Sequence, residues 1–204
     1  MALAVVAATA NPKKLREIEE IFAAAVGPGF ELLPRPADLA DVVEDGSTLA
    51  ANALLKANAV SRHTGAAAIA DDTGLEVDAL GGAPGVRSAR FAGEDATDAD
   101  NVALLLERLD GVADAERTAR FRTVICLARP GREPVYAEGV CDGRIVRSPR
   151  GTSGFGYDPV FVPDDGDGRT FAEMDAADKH AISHRGRAMA AAARLLPEFL
   201  GDDG

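Results

Sequence analysis

The chain has 204 residues, of which 47% are hydrophobic and 27% charged, as is ordinary for a globular protein. Its formal net charge of −11 argues against long nucleic acids as partners, because their binding depends on neutralising many phosphates. A small anionic ligand is still compatible, since a few clustered Lys and Arg side chains can form a local positive pocket. No apolar run approaches the roughly 20 residues of a transmembrane helix, and residues 1–10 lack the basic start of a signal peptide. We therefore expect a cytoplasmic protein without a membrane partner, with one domain over residues 1–204.

The first predicted unit is a strand followed by a helix. Residues 3–8 form a short apolar run that is typical of a buried strand. Asn11 suits the N-cap of a helix and Pro12 its first helical position, and the Gly-Pro-Gly segment at 27–29 marks the helix end. A strand, a polar turn and a helix in this order predict the opening of an α/β unit.

Alternating strands and helices continue through the first half of the chain. The predicted elements are a strand at 30–33, a helix at about 47–64 closed by Gly65, a buried strand at 67–70, a loop at 81–85, and a helix capped by Asp98 with Gly111 just beyond its end.

The second half has the pattern of an antiparallel meander. Residues 119–128 and 133–142 are predicted strands, and Asp142-Gly143 predicts a hairpin before 144–146. Cys126 and Cys141 lie in these strands and are expected to be core residues, because two cysteines make neither a disulfide framework nor a metal cluster. A final helix is expected at about 183–196, with Pro197 near its end. Together these elements predict a mixed central sheet flanked by helices, in two lobes that form one folding unit.

The turn before the first helix has the chemistry of a phosphate site. Free N–H groups and the helix dipole favour phosphate at this point, and Lys14 adds a full charge in the first turn. Glu17, one turn further on, can pair with Lys14 or hold it in place. The glycine-rich P-loop pattern is absent. An ordinary capped surface helix would also explain these residues, and both interpretations stay open.

Three acids form a candidate catalytic group. Asp71 and Asp72 are expected directly after the buried strand at 67–70, the position at which α/β sheets commonly carry catalytic residues. Mg²⁺ takes one or two carboxylates together with substrate phosphates and water, and Glu44 could provide a second carboxylate. Alternatively, Asp72 only caps the turn at Thr73-Gly74, and Glu44 is a surface acid.

Two further segments favour a nucleoside. Phe155 and Tyr157 lie between glycines at 154–159, and an aromatic ring there could stack on a base; a turn with an aromatic anchor is the alternative. His184 and Arg185 are expected in the first turn of the last helix, where cations oppose the helix dipole, which indicates ligand binding. For His184 alone, a structural or an exposed position is the alternative. The acidic segment 164–168 fails the calcium-loop spacing and is expected to be a solvated loop.

Taken together, these motifs resemble the inosine triphosphate pyrophosphatase family, which hydrolyses deaminated purine nucleotides. The matching text is Thr9-x-Asn11-x-x-Lys14-x-x-Glu17, followed by residues 70–80, 82–93, 154–159 and 183–185. The match spans essentially the whole chain, although Thr73 stands where the bacterial pattern usually has Ser, Val43 where an acid is often found, and Phe91 where Tyr is common.

The resemblance implies an elongated mixed α/β fold with the active site in a cleft between lobes, usually as a homodimer. It implies hydrolysis of a nucleoside triphosphate to the monophosphate and pyrophosphate with Mg²⁺ as cofactor. Glu44 and Asp72 would hold the metal, and Asp72 would also be the general base. The implied substrate-binding residues are Thr9, Ala10, Asn11, Pro12, Lys13, Lys14 and Lys56 at the phosphates, Thr73, and Phe155, Gly156, Tyr157, Asp158, Lys179, His184 and Arg185 at the nucleoside.

The expected substrates are ITP, dITP and XTP. Their bases carry an oxygen at C6 where adenine carries an amino group, so donors such as Lys179 and Arg185 can pair with that oxygen but not with an amino group. Guanine shares the oxygen, so its 2-amino group must be excluded by shape or by an unpaired polar contact. A haloacid-dehalogenase-type phosphatase is disfavoured, because its nucleophile loop needs Asp-x-Asp and Asp71 and Asp72 are adjacent. A nucleotide sensor that binds without turnover is the remaining alternative.

Overall fold

The computed structural model describes residues 3–9, 11–26 and 29–201. The helices are α1 (Pro12–Val26), α2 (Leu49–Thr64), α3 (Asp98–Arg108), α4 (Ala176–Ile182) and α5 (His184–Leu200). The strands are β1 (Leu3–Ala7), β2 (Phe30–Leu33), β3 (Ala68–Val77), β4 (Pro84–Gly85), β5 (Thr118–Arg129), β6 (Arg132–Ile145) and β7 (Phe161–Pro163).

The strands form a mixed sheet in the order β2-β1-β3-β5-β6-β7, with β4 paired to β3. β1 runs parallel to both β2 and β3, whereas β4 and β7 pair antiparallel with β3 and β6. The predicted mixed central sheet flanked by helices is therefore confirmed. By its contacts the chain divides into two compact units: unit 1 comprises Met1–Asp72, Thr123–Gly139 and Arg185–Gly204, and unit 2 comprises Thr73–Arg122 and Val140–His184.

Unit 1 is a sheet with helices on both faces, and the alternation of side chains along β1 and β3 assigns each residue to one layer. Val5 and Ile69 pack in one apolar cluster with residues of α1 and α5, such as Phe22 and Met189. Their neighbours Val6, Ala68 and Ala70 pack in a second cluster with Ala53, Ala57 and Val60 of α2. Unit 2 has a separate core, in which Val102 and Leu105 of α3 pack with Phe121, Phe161 and Phe171.

Most predicted elements are confirmed, with small differences at their ends. α2 begins at Leu49 rather than near residue 47, because Thr48 is its N-cap and accepts a hydrogen bond from the N–H of Ala51 at 3.1 Å. The predicted Asp98 cap is wrong by one residue: Thr97 caps α3 through a capping box with Asp100. α5 continues to Leu200, with Pro197 inside it. Cys126 and Cys141 are buried in the core, as predicted. Within the described ranges, no helix combines the length and apolarity needed to cross a membrane.

Asp71 and Asp72 lie within a strand, not after its end as predicted. β3 continues beyond the apolar run to Val77, where Leu75 and Glu76 pair with Gly85 and Pro84 of β4. The strand continues past Asp71 and Asp72 because the next apolar residues, Leu75 and Val77, are fully buried. Their burial stabilises this part of the strand, which the two acids cannot do.

The hairpin predicted at Asp142-Gly143 is also wrong, since β6 runs without interruption from Arg132 to Ile145. Gly143 pairs with Pro163 of β7. A Cβ atom at Gly143 would lie 2.7 Å from the Cζ atom of Phe161 and closer still to the carbonyl oxygen of Val162. The glycine thus permits a close approach between two strands and does not form a turn.

We predict that Gly143→Ala lowers the free energy of unfolding by about 1–3 kcal/mol, because the new methyl group must displace β7. Urea unfolding followed by circular dichroism would measure the change. Gly29→Ala is the matched control, since a Cβ atom there meets nothing within 4 Å. An equal loss of stability in both variants would contradict this explanation.

Candidate active site

The charged centre of unit 1 is the acid–lysine cluster, which we define as Glu44, Asp72 and Lys56. The Nζ atom of Lys56 lies 3.0 Å from Oε2 of Glu44 and 3.1 Å from Oδ1 of Asp72. Helix α2 places Lys56 toward β3, because its neighbours Ala53, Ala57 and Val60 form the buried face of the helix. The lysine and Asp72 are buried, whereas the side chain of Glu44 is 36% exposed. The cluster is therefore open to solvent on the side of Glu44.

Asp71 belongs to a different charged group on the other face of β3. Its Oδ2 atom lies 3.3 Å from Nε of Arg185 and 3.6 Å from Nζ of Lys14. Arg185, which is 1% exposed, also donates a hydrogen bond to Glu17. The separation follows from the strand, since Ile69 and Asp71 point to the α1 and α5 layer and Ala70 and Asp72 to the α2 layer.

The neighbouring charges set the ionisation of these groups. Burial alone would raise the pKa of Asp71, but the charges of Lys14, Arg185 and Lys56 outweigh it and hold that pKa well below its usual range. Burial raises the pKa of Asp72, and Lys56 offsets that rise only in part. For Lys56, burial would lower the pKa, yet the carboxylates of Asp72, Asp71 and Glu44 raise it above its usual value. Lys56 is therefore held in its charged form.

The predicted phosphate turn lies at the start of α1. Asn11 caps the helix, since its Oδ1 atom accepts a hydrogen bond from the N–H of Lys14 at 3.3 Å. The hydroxyl of Thr9 accepts a hydrogen bond from the N–H of Asn11 at 3.1 Å, and Pro12 is the first residue of the helix. Lys14 connects this turn to Asp71 of β3, two residues beyond Ile69, which pairs with the last residue of β1. Ala10 and the side chain of Lys13 lie outside the described residues.

Glu44 and Asp72 fit a hard divalent cation such as Mg²⁺. An oxygen of each lies 3.0 or 3.1 Å from the same ammonium nitrogen, so the two carboxylates converge on one point. Mg²⁺ is usually bound by one or two carboxylates and completes its coordination with waters and substrate phosphates. Among the residues that the structure describes, no group of three or more His, Cys, Asp or Glu side chains could hold a metal ion. The two acids would therefore need phosphates and waters to complete the coordination of the ion.

Asn52 was not predicted as a site residue, although it contacts the acid–lysine cluster. Its side chain is fully buried, and its Nδ2 atom donates to Oδ2 of Asp72 at 3.2 Å. Its Oδ1 atom accepts from the N–H of Gly46 at 2.8 Å. A signal was present in the sequence, since Asn52 precedes Lys56 by four residues and therefore lies on the same face of α2.

The predicted nucleoside residues of unit 2 have two different environments. Tyr157 is 4% exposed, packs in the apolar core of the unit, and donates from its hydroxyl to the carbonyl of Ser88 at 2.9 Å. It anchors the segment, as the alternative interpretation of 154–159 expected. Phe155 is only half-buried, so it is the ring of the two that is accessible to a ligand.

Asp158 and Lys179 form a buried ion pair next to Phe155. Nζ of Lys179 lies 2.8 Å from Oδ2 of Asp158 and 5.3 Å from the centre of the Phe155 ring. The same carboxylate oxygen accepts from the N–H of Phe155 at 2.9 Å, while the N–H of Gly156 donates to Asp98 at 2.9 Å. The carboxylate of Asp158 thus fixes both the lysine and the aromatic segment.

His184 and Arg185 are neighbours in the first turn of α5, as predicted, but their side chains have separate environments. The ring of His184 is 2% exposed and stacks on Phe121, with ring centres 4.5 Å apart. Arg185 is held by Asp71 and Glu17 in unit 1. Thr73 is half-buried on β3, directly after Asp72. The nucleoside roles of His184 and Arg185 and the substrate contact of Thr73 stay predictions.

The chain matches the Ham1 family over residues 5–195. It is 49% identical over 201 residues to the dITP/XTP pyrophosphatase of Geobacillus kaustophilus (strain HTA426), which covers 98% of this chain and 97% of that protein. Its structure is similar to that of a HAM1 protein from Coxiella burnetii, with 41% identity and a TM-score of 0.86 over 96% of this chain and 99% of that one. A dITP/XTP pyrophosphatase structure from Mycobacterium abscessus is 44% identical, with a TM-score of 0.74 over 93% and 98% of the two chains. The family predicted from the motifs is thus confirmed, and the chain belongs to the Ham1 family.

Proposed function

We propose that this chain is a Mg²⁺-dependent pyrophosphatase that hydrolyses ITP, dITP and XTP to the monophosphate and pyrophosphate. The observation that carries the proposal is the convergence of Glu44 and Asp72 on the ammonium group of Lys56. This arrangement puts two potential metal ligands and a phosphate-binding cation together. The names of the Geobacillus and Mycobacterium relatives, both dITP/XTP pyrophosphatases, support the choice of substrate.

The phosphates are assigned to unit 1. Lys14 and Lys56 provide positive charge, and the start of α1 provides backbone N–H groups and the helix dipole. Mg²⁺, held by Glu44 and Asp72, would neutralise part of the triphosphate charge. Asp72 takes a proton from the attacking water, whose oxygen bonds to phosphorus at the anhydride between the α and β phosphates. The anhydride bond breaks at the same phosphorus, and the monophosphate and pyrophosphate are released. Lys14 and Lys56 stabilise the charge that develops on the phosphate oxygens.

The base is assigned to residues of unit 2. Phe155 is the ring available for stacking, and Lys179 is a donor suited to the oxygen at C6 of hypoxanthine or xanthine. Because Asp158 holds Lys179 at 2.8 Å, the donor is fixed before the substrate arrives. An amino group at C6 cannot accept this hydrogen bond, so adenine nucleotides are disfavoured. We further propose that the protein acts as a homodimer, as the resemblance implies, and that it acts in the cytoplasm.

Asp72→Asn is expected to lower kcat for ITP by about 10²-fold or more, because the amide cannot accept the proton of the water. Binding of ITP, measured by calorimetry in Ca²⁺, should weaken by a smaller factor than kcat, because the amide keeps the shape of the side chain but is a weaker ligand for the cation. Asp41→Asn, at an aspartate whose side chain is 94% exposed, is the matched control and should keep full activity. Retained turnover in Asp72→Asn would show that another residue is the general base. If the wild type bound ITP without hydrolysing it, a nucleotide sensor would be favoured.

Glu44→Gln should raise the Mg²⁺ concentration needed for half-maximal activity by about tenfold or more, since a neutral amide is a weaker ligand for a hard cation. Titration of activity with Mg²⁺ after treatment with EDTA would measure it. The neighbouring and exposed Asp45 supplies the control variant Asp45→Asn, for which the Mg²⁺ dependence should stay unchanged. An identical Mg²⁺ dependence in Glu44→Gln and the wild type would exclude Glu44 as a ligand.

Phe155→Leu should lower kcat/KM for ITP and XTP by a similar factor, about tenfold, because stacking does not distinguish the edges of the bases. Phe155→Tyr keeps the ring and should retain most of the activity. Steady-state kinetics on both nucleotides would test this. A loss confined to one nucleotide, or an equal loss in both variants, would argue against stacking.

A further inference from the structure

Asn52 joins two segments of unit 1 that carry the proposed metal ligands. Its amide group donates to Asp72 on β3 and accepts from the N–H of Gly46, two residues after Glu44. The side chain is fully buried in the first turn of α2, which Thr48 caps. A single amide therefore fixes both Asp72 and the backbone next to Glu44 to the same helix.

The chemistry at the two ends of this amide is complementary. A carboxylate only accepts hydrogen bonds and a backbone N–H only donates, so Nδ2 must face Asp72 and Oδ1 must face Gly46. Of the residues of this size, Asp would place a second negative oxygen against Asp72, and Leu would leave both partners without a hydrogen bond.

The backbone at Gly46 is fitted closely against Asn52. A Cβ atom at position 46 would lie 2.6 Å from Oδ1 of Asn52 and 2.8 Å from the Cβ atom of Ala51. The segment that carries Glu44 can reach the helix only because residue 46 has no side chain. This close approach is a second observation, independent of the hydrogen bond to Asp72, that the segment has a fixed place beside α2.

We infer that Asn52 is a positioning residue that holds Glu44 and Asp72 in register for one shared divalent cation. Lys56 contacts the same two carboxylates, but it is assigned to the phosphates. Asn52 touches neither phosphate nor metal and acts through Asp72 and Gly46. The inference rests on the proposed function, because it concerns the metal ligands of that site.

The test compares Asn52→Ala and Gly46→Ala with a matched control, Asn101→Ala. Asn101 is also a buried asparagine in the first turn of a helix, but its amide contacts only backbone, accepting from Ala92 at 2.8 Å and donating to Ala89 at 3.1 Å. Urea unfolding first establishes conditions under which every variant is folded. Affinity for Mn²⁺ is then measured by electron paramagnetic resonance with α,β-methylene-ITP, and kcat and KM are measured with ITP and Mg²⁺.

Both Asn52→Ala and Gly46→Ala should weaken Mn²⁺ affinity by about tenfold or more and lower kcat by a similar factor, as removal of an outer-shell partner does, with KM unchanged. Asn101→Ala should lose stability but keep the Mn²⁺ affinity of the wild type. If Asn52→Ala lost stability alone and kept its Mn²⁺ affinity and kcat, Asn52 would be structural only. An equal loss of affinity in Asn101→Ala would also overturn the inference.

These outcomes are separate from those that test the function. A wild type that hydrolyses ITP while Asn52→Ala keeps normal Mn²⁺ affinity removes only the role of Asn52. A wild type that neither hydrolyses ITP nor binds Mn²⁺ removes the proposed function, and the role of Asn52 is lost with it. Gly46→Ala keeps the test decisive if Asn52→Ala does not fold, because it displaces the same segment without removing the buried amide.

Discussion

The ammonium group of Lys56 lies between two carboxylates. The way in which the neighbouring segments of unit 1 meet at this lysine follows from the cost of burying a charge. A buried charge without a partner costs several kcal/mol, so each ionised group here must have its counterpart in place. Glu44, Asp72 and Lys56 come from a loop, a strand and a helix, which the ion pairs hold to one another. The charged centre is therefore complete only when all three segments are in place.

The alternation of side chains along β3 gives the two adjacent aspartates different tasks. Asp72 points to α2 and joins Glu44 at Lys56, whereas Asp71 points to the opposite layer and neutralises Lys14 and Arg185. This geometry favours Asp72 over Asp71 as the proposed metal ligand, a choice that the sequence alone leaves open. Only Asp72 shares a cation with a second acid that is partly exposed to solvent.

In unit 2, a small number of polar groups is held in place by an aromatic core and not by a network of charges. Tyr157 fixes the segment 155–158 to Ser88, and Asp158 then fixes Lys179 beside the ring of Phe155. Such a donor loses little conformational entropy when it binds a ligand, because it is already ordered. Recognition of an edge of a base depends on groups of this kind, since a misplaced donor cannot distinguish an oxygen from an amino group.

The sequence predicted those features that depend on local chemistry. The bounds of β2 follow from a short apolar run. Asn11-Pro12 predicts the start of α1, and Gly65 predicts the end of α2. Features that depend on distant contacts were missed: Asp142-Gly143 has the chemistry of a turn, but its glycine faces β7. Glu17 and Arg185 are 168 positions apart, so no local pattern could pair them. The candidate site residues were predicted because their order along the chain matched a family, whereas Asn52 belonged to none of the matching motifs.

The most direct test of this account is to identify the products from a panel of ITP, dITP, XTP, ATP and GTP with Mg²⁺, using phosphorus NMR. The account predicts equal amounts of monophosphate and pyrophosphate from the first three nucleotides, with little turnover of ATP and GTP. Formation of nucleoside diphosphate and orthophosphate, or equal turnover of all five nucleotides, would contradict it.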